Sequence, residues 1–350
     1  MTRAPAGAVP RARVRGGPPP GRRRAAGLAG AGCALVLVCF ASLWVGSVPI
    51  APGTAFDAVF AFDGSEEHVI VRDMRLPRTV VGLGVGAALG VAGGLMQAIA
   101  RNPLAEPGIL GINAGAAFGI VSAVYLLGVV GPAGYVWFAF AGAAAAVVVV
   151  YLLGTAGRSA SSPVKLALAG VVVTMLLDAW TTLVLVFNQR TLDEVRFWLA
   201  GSLAGRDGVV LTHVAPLLLA GLVAALLVAR QLNALSLGEQ VASALGQRTA
   251  RVRTMGGVVV VVLAGAAVAA AGPIGFVGLA VPHIARAVTG PDYRWILAYG
   301  LLLGPLLLLG ADIVGRVVAR PSEIQVGIVT ALAGAPFLIY LVRRRRLASV

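Results

Sequence analysis

Residues 232–253 read LNALSLGEQVASALGQRTARVR, a polar stretch set between two long apolar runs. Its polar residues are ordered rather than scattered. Ser236 and Glu239, three apart, have the spacing of a capping box for a short helix, and Leu237, Val241 and Leu245 then fall on one face of it. Gly246 supplies the stop. Joining two membrane spans requires no helical, amphipathic, basic-tailed segment. The stretch is therefore expected to be gripped by something outside the bundle, as a coupling element.

The runs on either side set the fold class. Of the 350 residues, 59% are hydrophobic and 12% charged, with a mean hydropathy of +0.91, against about a quarter charged in soluble domains. The expected fold is an all-α polytopic membrane protein. Its 46 glycines would weaken a soluble bundle, but in lipid small residues let helices approach closely. The formal net charge of +14 would suggest nucleic acid in a soluble protein; here topology accounts for it, and no nucleic-acid partner is expected. Cys33 and Cys39 both lie in the first apolar run, which leaves no disulfide framework and no metal site.

Residues 1–26, rich in Pro, Gly and Arg, read as a disordered cytoplasmic tail, and 344–350 as a short basic one. Between them, over 27–343, about ten spans are expected, near 27–50, 77–100, 108–129, 133–156, 164–187, 209–230, 254–272, 275–290, 295–315 and 324–342. With the amino terminus inside, twenty of the 28 basic residues fall on the cytoplasmic side, as the positive-inside rule requires. Both termini and the 232–253 loop then face the cytoplasm. Residues 51–76 are too polar to span and are expected along the outer surface. GAALGVAGG (86–94), preceded by Arg78-Thr79, is echoed by GAAVAAAGP (265–273), preceded by Arg253-Thr254. These two spans run in opposite directions, the arrangement of an inverted repeat, although Gly/Ala-rich spans also resemble one another by chance.

Three stretches exceed generic membrane composition: RLPRTVVGLGVGAALGVAGGLMQAIARNPLAEPGILGINAGAAFG (75–119), the loop itself, and GPIGFVGLAVPHIARAVTG with ADIVGRVVARPSEIQVGIVTALAGAPFLIYLV within 272–342. Together they resemble the FecCD family of ABC-transporter permeases, membrane subunits of bacterial importers for ferric siderophores, haem and cobalamin, over about residues 28–345. The resemblance implies a type II ABC importer permease with ten helices in the bacterial inner (plasma) membrane. It implies a dimer, with a second copy or a sibling permease, and a pathway along the dimer interface. It also implies a separate cytoplasmic ATPase that uses ATP, and an extracytoplasmic substrate-binding protein.

On this reading Leu235, Leu237, Gly238, Glu239, Val241, Leu245 and Gly246 form the ATPase-coupling loop, the apolar residues filling a groove on the partner. Arg75, Arg78 and Arg316 are expected on the outer face, meeting carboxylates of the binding protein; the same residues would also suit lipid phosphates. Asn102, Pro103 and Asn113 interrupt the passage between the second and third spans, where exposed backbone could line the pathway. Asp178 joins these as a pathway candidate, because an acid inside a span marks function by default. Asp312, one turn before Arg316, has a ready ion-pair partner. His283 reads as a helix-packing residue rather than a ligand.

No GxxxxGK[ST] motif occurs, so ATP hydrolysis would belong to a partner, and no cofactor is expected on this chain. No nucleophile with a base and no metal-binding pattern suggests an enzyme. The class expected is an ATP-driven importer permease, foremost for ferric siderophore and otherwise for haem or cobalamin. A gradient-driven carrier using Asp178 or Asp312 as a proton relay is the alternative of a different class.

Overall fold

The computed structural model describes residues 20–156, 163–205, 208–236 and 238–345. Leu237, the side chain of Glu239, and most of both expected tails lie outside the described residues. Within them the chain is helical, with no strand. Ten helices correspond to the ten expected spans: α1 (Pro20–Trp44), α4 (Leu76–Ala100), α5 (Ile112–Leu127), α6 (Pro132–Thr155), α7 (Pro163–Phe187), α9 (Gly208–Ser236), α11 (Thr249–Ala271), α12 (Val277–Thr289), α13 (Tyr293–Val318) and α14 (Val326–Arg345). Four shorter helices connect them: α2 (Pro52–Phe60), α3 (Glu66–Val69), α8 (Gln189–Leu199) and α10 (Glu239–Ala244).

Among the described residues seven helices are long and apolar enough to cross a membrane alone, and three apolar helices are shorter. The thirteen residues of α12 reach only about 20 Å at the α-helical rise, against a hydrocarbon core of about 30 Å. A non-helical link, 272–276, precedes it. The region 51–76 differs from expectation in part. Its second half does not lie flat: α3, a π-helical turn (Ile70–Arg75) and α4 run on as one helix of 35 residues, Glu66–Ala100.

α4 is the hub, packed against α13, α11, α12 and α9. Gly82, Gly86, Gly90 and Gly94 recur every four residues along it, so they share one stripe. They meet Leu309, Pro305, Gly300 and Leu297 of α13 in descending order, which makes the two helices antiparallel. Where Gly86 meets Gly304 and Pro305 the helix backbones touch, the close approach that small residues permit in the absence of a hydrophobic drive between helices. Gly93, on the adjacent face, lies against the Gly278 carbonyl of α12. The end of α4 also meets the start of α11, Ile99 packing on Gly256. These are the spans that share the Gly/Ala echo, and they lie side by side in opposite directions.

A side chain at Gly93 would overlap the Gly278 carbonyl, backbone that cannot swing aside. Gly93→Val is expected to lower stability by about 3 kcal/mol or more, read as an earlier thermal transition of the detergent-purified protein. Gly257, with open space around its Cα, is the contrast. There Gly257→Ala should be neutral or stabilising by up to about 1 kcal/mol.

Candidate functional site

The chain concentrates polar structure at three levels: a cytoplasmic loop, a break at mid-depth and an outer cluster, the sides being those assigned by the charge count. At the loop, α9 runs on to Ser236, whose hydroxyl donates back to the Asn233 carbonyl at 2.7 Å. Ser236 therefore does not cap α10, and the expected capping box is not formed. The cap position belongs to Gly238, at φ +111°, with no side-chain hydrogen bond. The helix stop is as expected. Gly246, at φ +78°, donates to the Ser243 carbonyl and Gln247 to the Ala242 carbonyl, at 2.9 and 3.0 Å, the paired bonds of a Schellman motif.

α10 turns Ala242 into the bundle and leaves Val241 45% and Leu245 67% exposed. Two apolar side chains thus project from a short helix held clear of the core. Leu235, expected to contribute to the same surface, is instead fully buried, because it lies on the inward stripe of α9 with Leu232 and Val228. The loop is anchored laterally. Asn233, three residues before the end of α9, donates to Asp292 and accepts from the Tyr293 backbone, both at 2.7 Å. Asp292 in turn caps α13 and pairs with Arg294 at 3.0 Å. The Arg294 hydrogen bond, ahead of that from Asn233, draws the Asp292 carboxyl down to about 2. Sequence reading missed this clamp, since an Asn near a helix end is an ordinary residue until its partner is placed.

The passage between α4 and α5 breaks as expected. Arg101 ends α4 in the left-handed region at φ +49°, Asn102 accepts from the Leu104 backbone at 2.9 Å, a 3-10 turn spans Pro107–Leu110, and Gly111 at φ +77° starts α5. Asn102 is exposed, and Pro103 and Asn113 are half-buried. Pro107 packs at Gly278 of α12, so the segment reaches up to the middle of α4. There the Glu106 carboxylate accepts the backbone N–H of Phe276 at 2.9 Å. Phe276 stands at φ +76° just before α12, a conformation costly for a bulky residue. Glu106 thus satisfies a donor that two helix breaks have left open; NPLAEP carried the residue, but not its partner.

At the outer level the last carbonyls of α1 have no intrahelical donors, and guanidinium groups supply them. Arg75 donates to the carbonyls of Leu43 and Trp44, each at 2.9 Å, and to that of Val48. Arg316 donates to the Ser42 carbonyl at 2.8 Å, the Val45 carbonyl at 3.1 Å and the Ser42 hydroxyl at 2.7 Å. Asp312, itself 1% exposed, pairs with Arg316 at 2.8 Å and Arg78 at 2.7 Å, and Arg78 reaches on to Glu323 at 2.7 Å. Burial alone would raise the Glu323 carboxyl, yet the hydrogen bond from Arg78 holds it below its ordinary value. The three arginines do converge, but not as an exposed patch. Arg75 and Arg316 are 6% and 1% exposed and are spent on their own chain. Beside them a cavity of about 450 Å³, lined by Ser47, Asp73, Arg75, Arg78, Arg316 and Glu323 among others, opens outward.

Asp178 is placed apart from all three levels, exposed on α7. His283 bonds to the Leu279 carbonyl at 2.9 Å, as a packing residue would. No group of three or more potential metal ligands occurs among the described residues.

Ten helices matching the ten expected spans, with a short projecting helix and a break between α4 and α5, define a multi-pass membrane protein. The chain belongs to the FecCD transport family, whose pattern it matches over residues 34–344. It is 46% identical over 312 residues to the ferric enterobactin transport system permease protein FepD of Escherichia coli, covering 89% of this chain and 93% of that one. It is 41% identical over 316 residues to the Fe(3+)-citrate import system permease protein YfmD of Bacillus subtilis, covering 89% and 94%. Among solved structures it resembles a metal-chelate type ABC transporter in an inward-facing conformation, with a TM-score of 0.79 and 30% identity over 91% of this chain and 99% of that one.

Removing the buried acid of the outer cluster should be severe. Asp312→Ala leaves two guanidinium groups without their shared counter-charge and is expected to cost about 3–5 kcal/mol. Glu323→Gln, at a side chain 29% exposed, should cost about 1 kcal/mol or less. Comparing the thermal transitions of the two variants checks both.

Proposed function

We propose that this chain is the permease subunit of an ATP-driven importer of ferric siderophores in a bacterial plasma membrane. It works as a dimer, with a second copy or a sibling chain, and both its termini lie in the cytoplasm. The observation that carries this reading is α10: a short helix, stopped by a Schellman motif, that presents Val241 and Leu245 to the cytoplasm rather than to its own bundle. Such a projection suits a helix-in-groove contact with a partner ATPase. Iron-chelate transport is supported by the names of the relatives, and haem or cobalamin would use the same machinery. The ATPase binds and hydrolyses ATP; this chain binds no cofactor and performs no chemistry on its cargo.

Motion delivered to α10 reaches α9 through the chain itself and α13 through the Asn233–Asp292 clamp. Because α13 is zipped to α4, displacement at the loop would be carried to the helix break at Asn102, Pro103 and Asn113, which lines the inner end of the pathway. On the outer side, the cavity at Arg75, Arg78 and Arg316 is the place where a carboxylate of a substrate-binding protein would enter. There it would exchange with Glu323 for Arg78. A gradient-driven carrier loses Asp312 as a relay, since that acid is committed to two arginines.

The test is coupling. Val241→Asp with Leu245→Asp changes only exposed positions, so the thermal transition should stay within about 2 °C of wild type. Chelate-stimulated ATP hydrolysis by the assembled complex in proteoliposomes should fall at least tenfold. Unaltered stimulation, or uptake that survives a hydrolysis-dead ATPase but collapses with an uncoupler, would overturn the reading.

A further inference from the structure

Two non-glycine residues among the described ones stand at positive φ, Arg101 at +49° and Phe276 at +76°. Backbone held in such a conformation persists only where the surroundings over-determine it, and these two residues lie on one line of contacts. Arg101 opens the break segment 101–111 beside the coupling loop: a Cβ at Gly238, the cap position of α10, would lie 3.9 Å from its Nη2 atom. Further along the same segment, the Glu106 carboxylate accepts the Phe276 N–H at 2.9 Å. The Phe276 ring stands edge-on to Phe337 of α14, 5.6 Å between centroids, and covers Gly334, where a Cβ would run into it. α14 in turn begins at Val326, just after Glu323, the partner of Arg78 in the outer cluster.

Phe276 is thus gripped from two sides, by the break segment through its amide and by α14 through its ring. Without an acceptor for the amide, a bulky residue falls back to negative φ, and that rotation carries the ring off Gly334. The joint therefore has two discrete arrangements rather than a continuum, the property that lets a line of packed groups carry displacement between distant sites. We infer that Glu106 is a positioning residue for transport. It fixes Phe276 as the joint through which movement of the break segment shifts α14, and with it Glu323 at the outer cavity. This route is separate from the Asn233–Asp292 clamp, which leads from the loop to α13. The inference rests on the permease reading above and deepens it by connecting the coupling loop to the outer face.

Glu106→Gln, Glu106→Leu and Gly334→Ala test it in the complex assembled with its ATPase and binding protein in proteoliposomes. The readout is ferric chelate imported per ATP hydrolysed, a ratio that loss of folded protein does not move, because it lowers both quantities together. Gln keeps an oxygen acceptor for the Phe276 N–H and should stay within about twofold of wild type. Leu removes the acceptor and should lower the ratio about fivefold or more. Gly334→Ala leaves Glu106 in place but sets a methyl group against the Phe276 ring, and the same loss is expected. A ratio within twofold of wild type in either Glu106→Leu or Gly334→Ala would overturn the joint. A loss in Glu106→Gln equal to that in Glu106→Leu would overturn the positioning role, since the acceptor is then not what matters. Backbone hydrogen exchange over residues 322–330 of the purified chain needs no cargo. It should quicken about threefold or more in Glu106→Leu and Gly334→Ala and hold the wild-type rate in Glu106→Gln; unchanged exchange in all three would sink the connection to the outer face. If the wild-type complex imports no chelate, the permease reading fails, while the exchange rates still decide whether Glu106 and Phe276 govern α14.

Discussion

How closely α4 can be approached governs the rest of this bundle. Lipid tails are as apolar as the helices, so helices associate through contact rather than through expulsion of water. A glycine every fourth residue gives α4 a groove in which α13 lies with backbone touching backbone, and Gly93 extends that contact to α12. With α4 surrounded by α9, α11, α12 and α13, the polar features at its two ends are held in fixed relation. Arg78 lies one turn inside the outer end and Gln97 one turn inside the inner end. From there Gln97 accepts from Arg286 of α12 at 3.0 Å.

That rigidity makes the breaks affordable. Backbone groups left open inside a membrane must find partners within the protein, and each break here has a named answer. The end of α1 is met by Arg75 and Arg316, and the start of α12 by Glu106. The two guanidinium groups are charged, so each needs a counter-charge or a route to water. Asp312 supplies the first for Arg316 and its neighbour Arg78. The outer ion-pair cluster is therefore a consequence of how α1 ends.

The cytoplasmic side works by the opposite principle. α10 is short and its outer apolar residues are unsatisfied by this chain, whereas α9 behind it is clamped to α13 by Asn233 and Asp292. A projecting helix on a stiff stem transmits displacement instead of absorbing it.

Hydropathy and Gly and Pro placement were enough to define ten spans, the break after Ala100 and the stop at Gly246, because these follow from local chemistry and the bilayer's thickness. Partnership across the fold was not legible. Ser236 has the spacing of a cap, yet α9 continues through it. Leu235 has the composition of a coupling surface, yet the helical phase buries it. Arg75, Arg78 and Arg316 look like outward cations, yet the open carbonyls of α1, more than 25 residues away in sequence, claim two of them. Sequence alone determined which groups are charged and at what depth they sit. Only the tertiary structure decided which of them are already spoken for, because a buried charge is settled by whichever distant donor or acceptor the packing brings within reach.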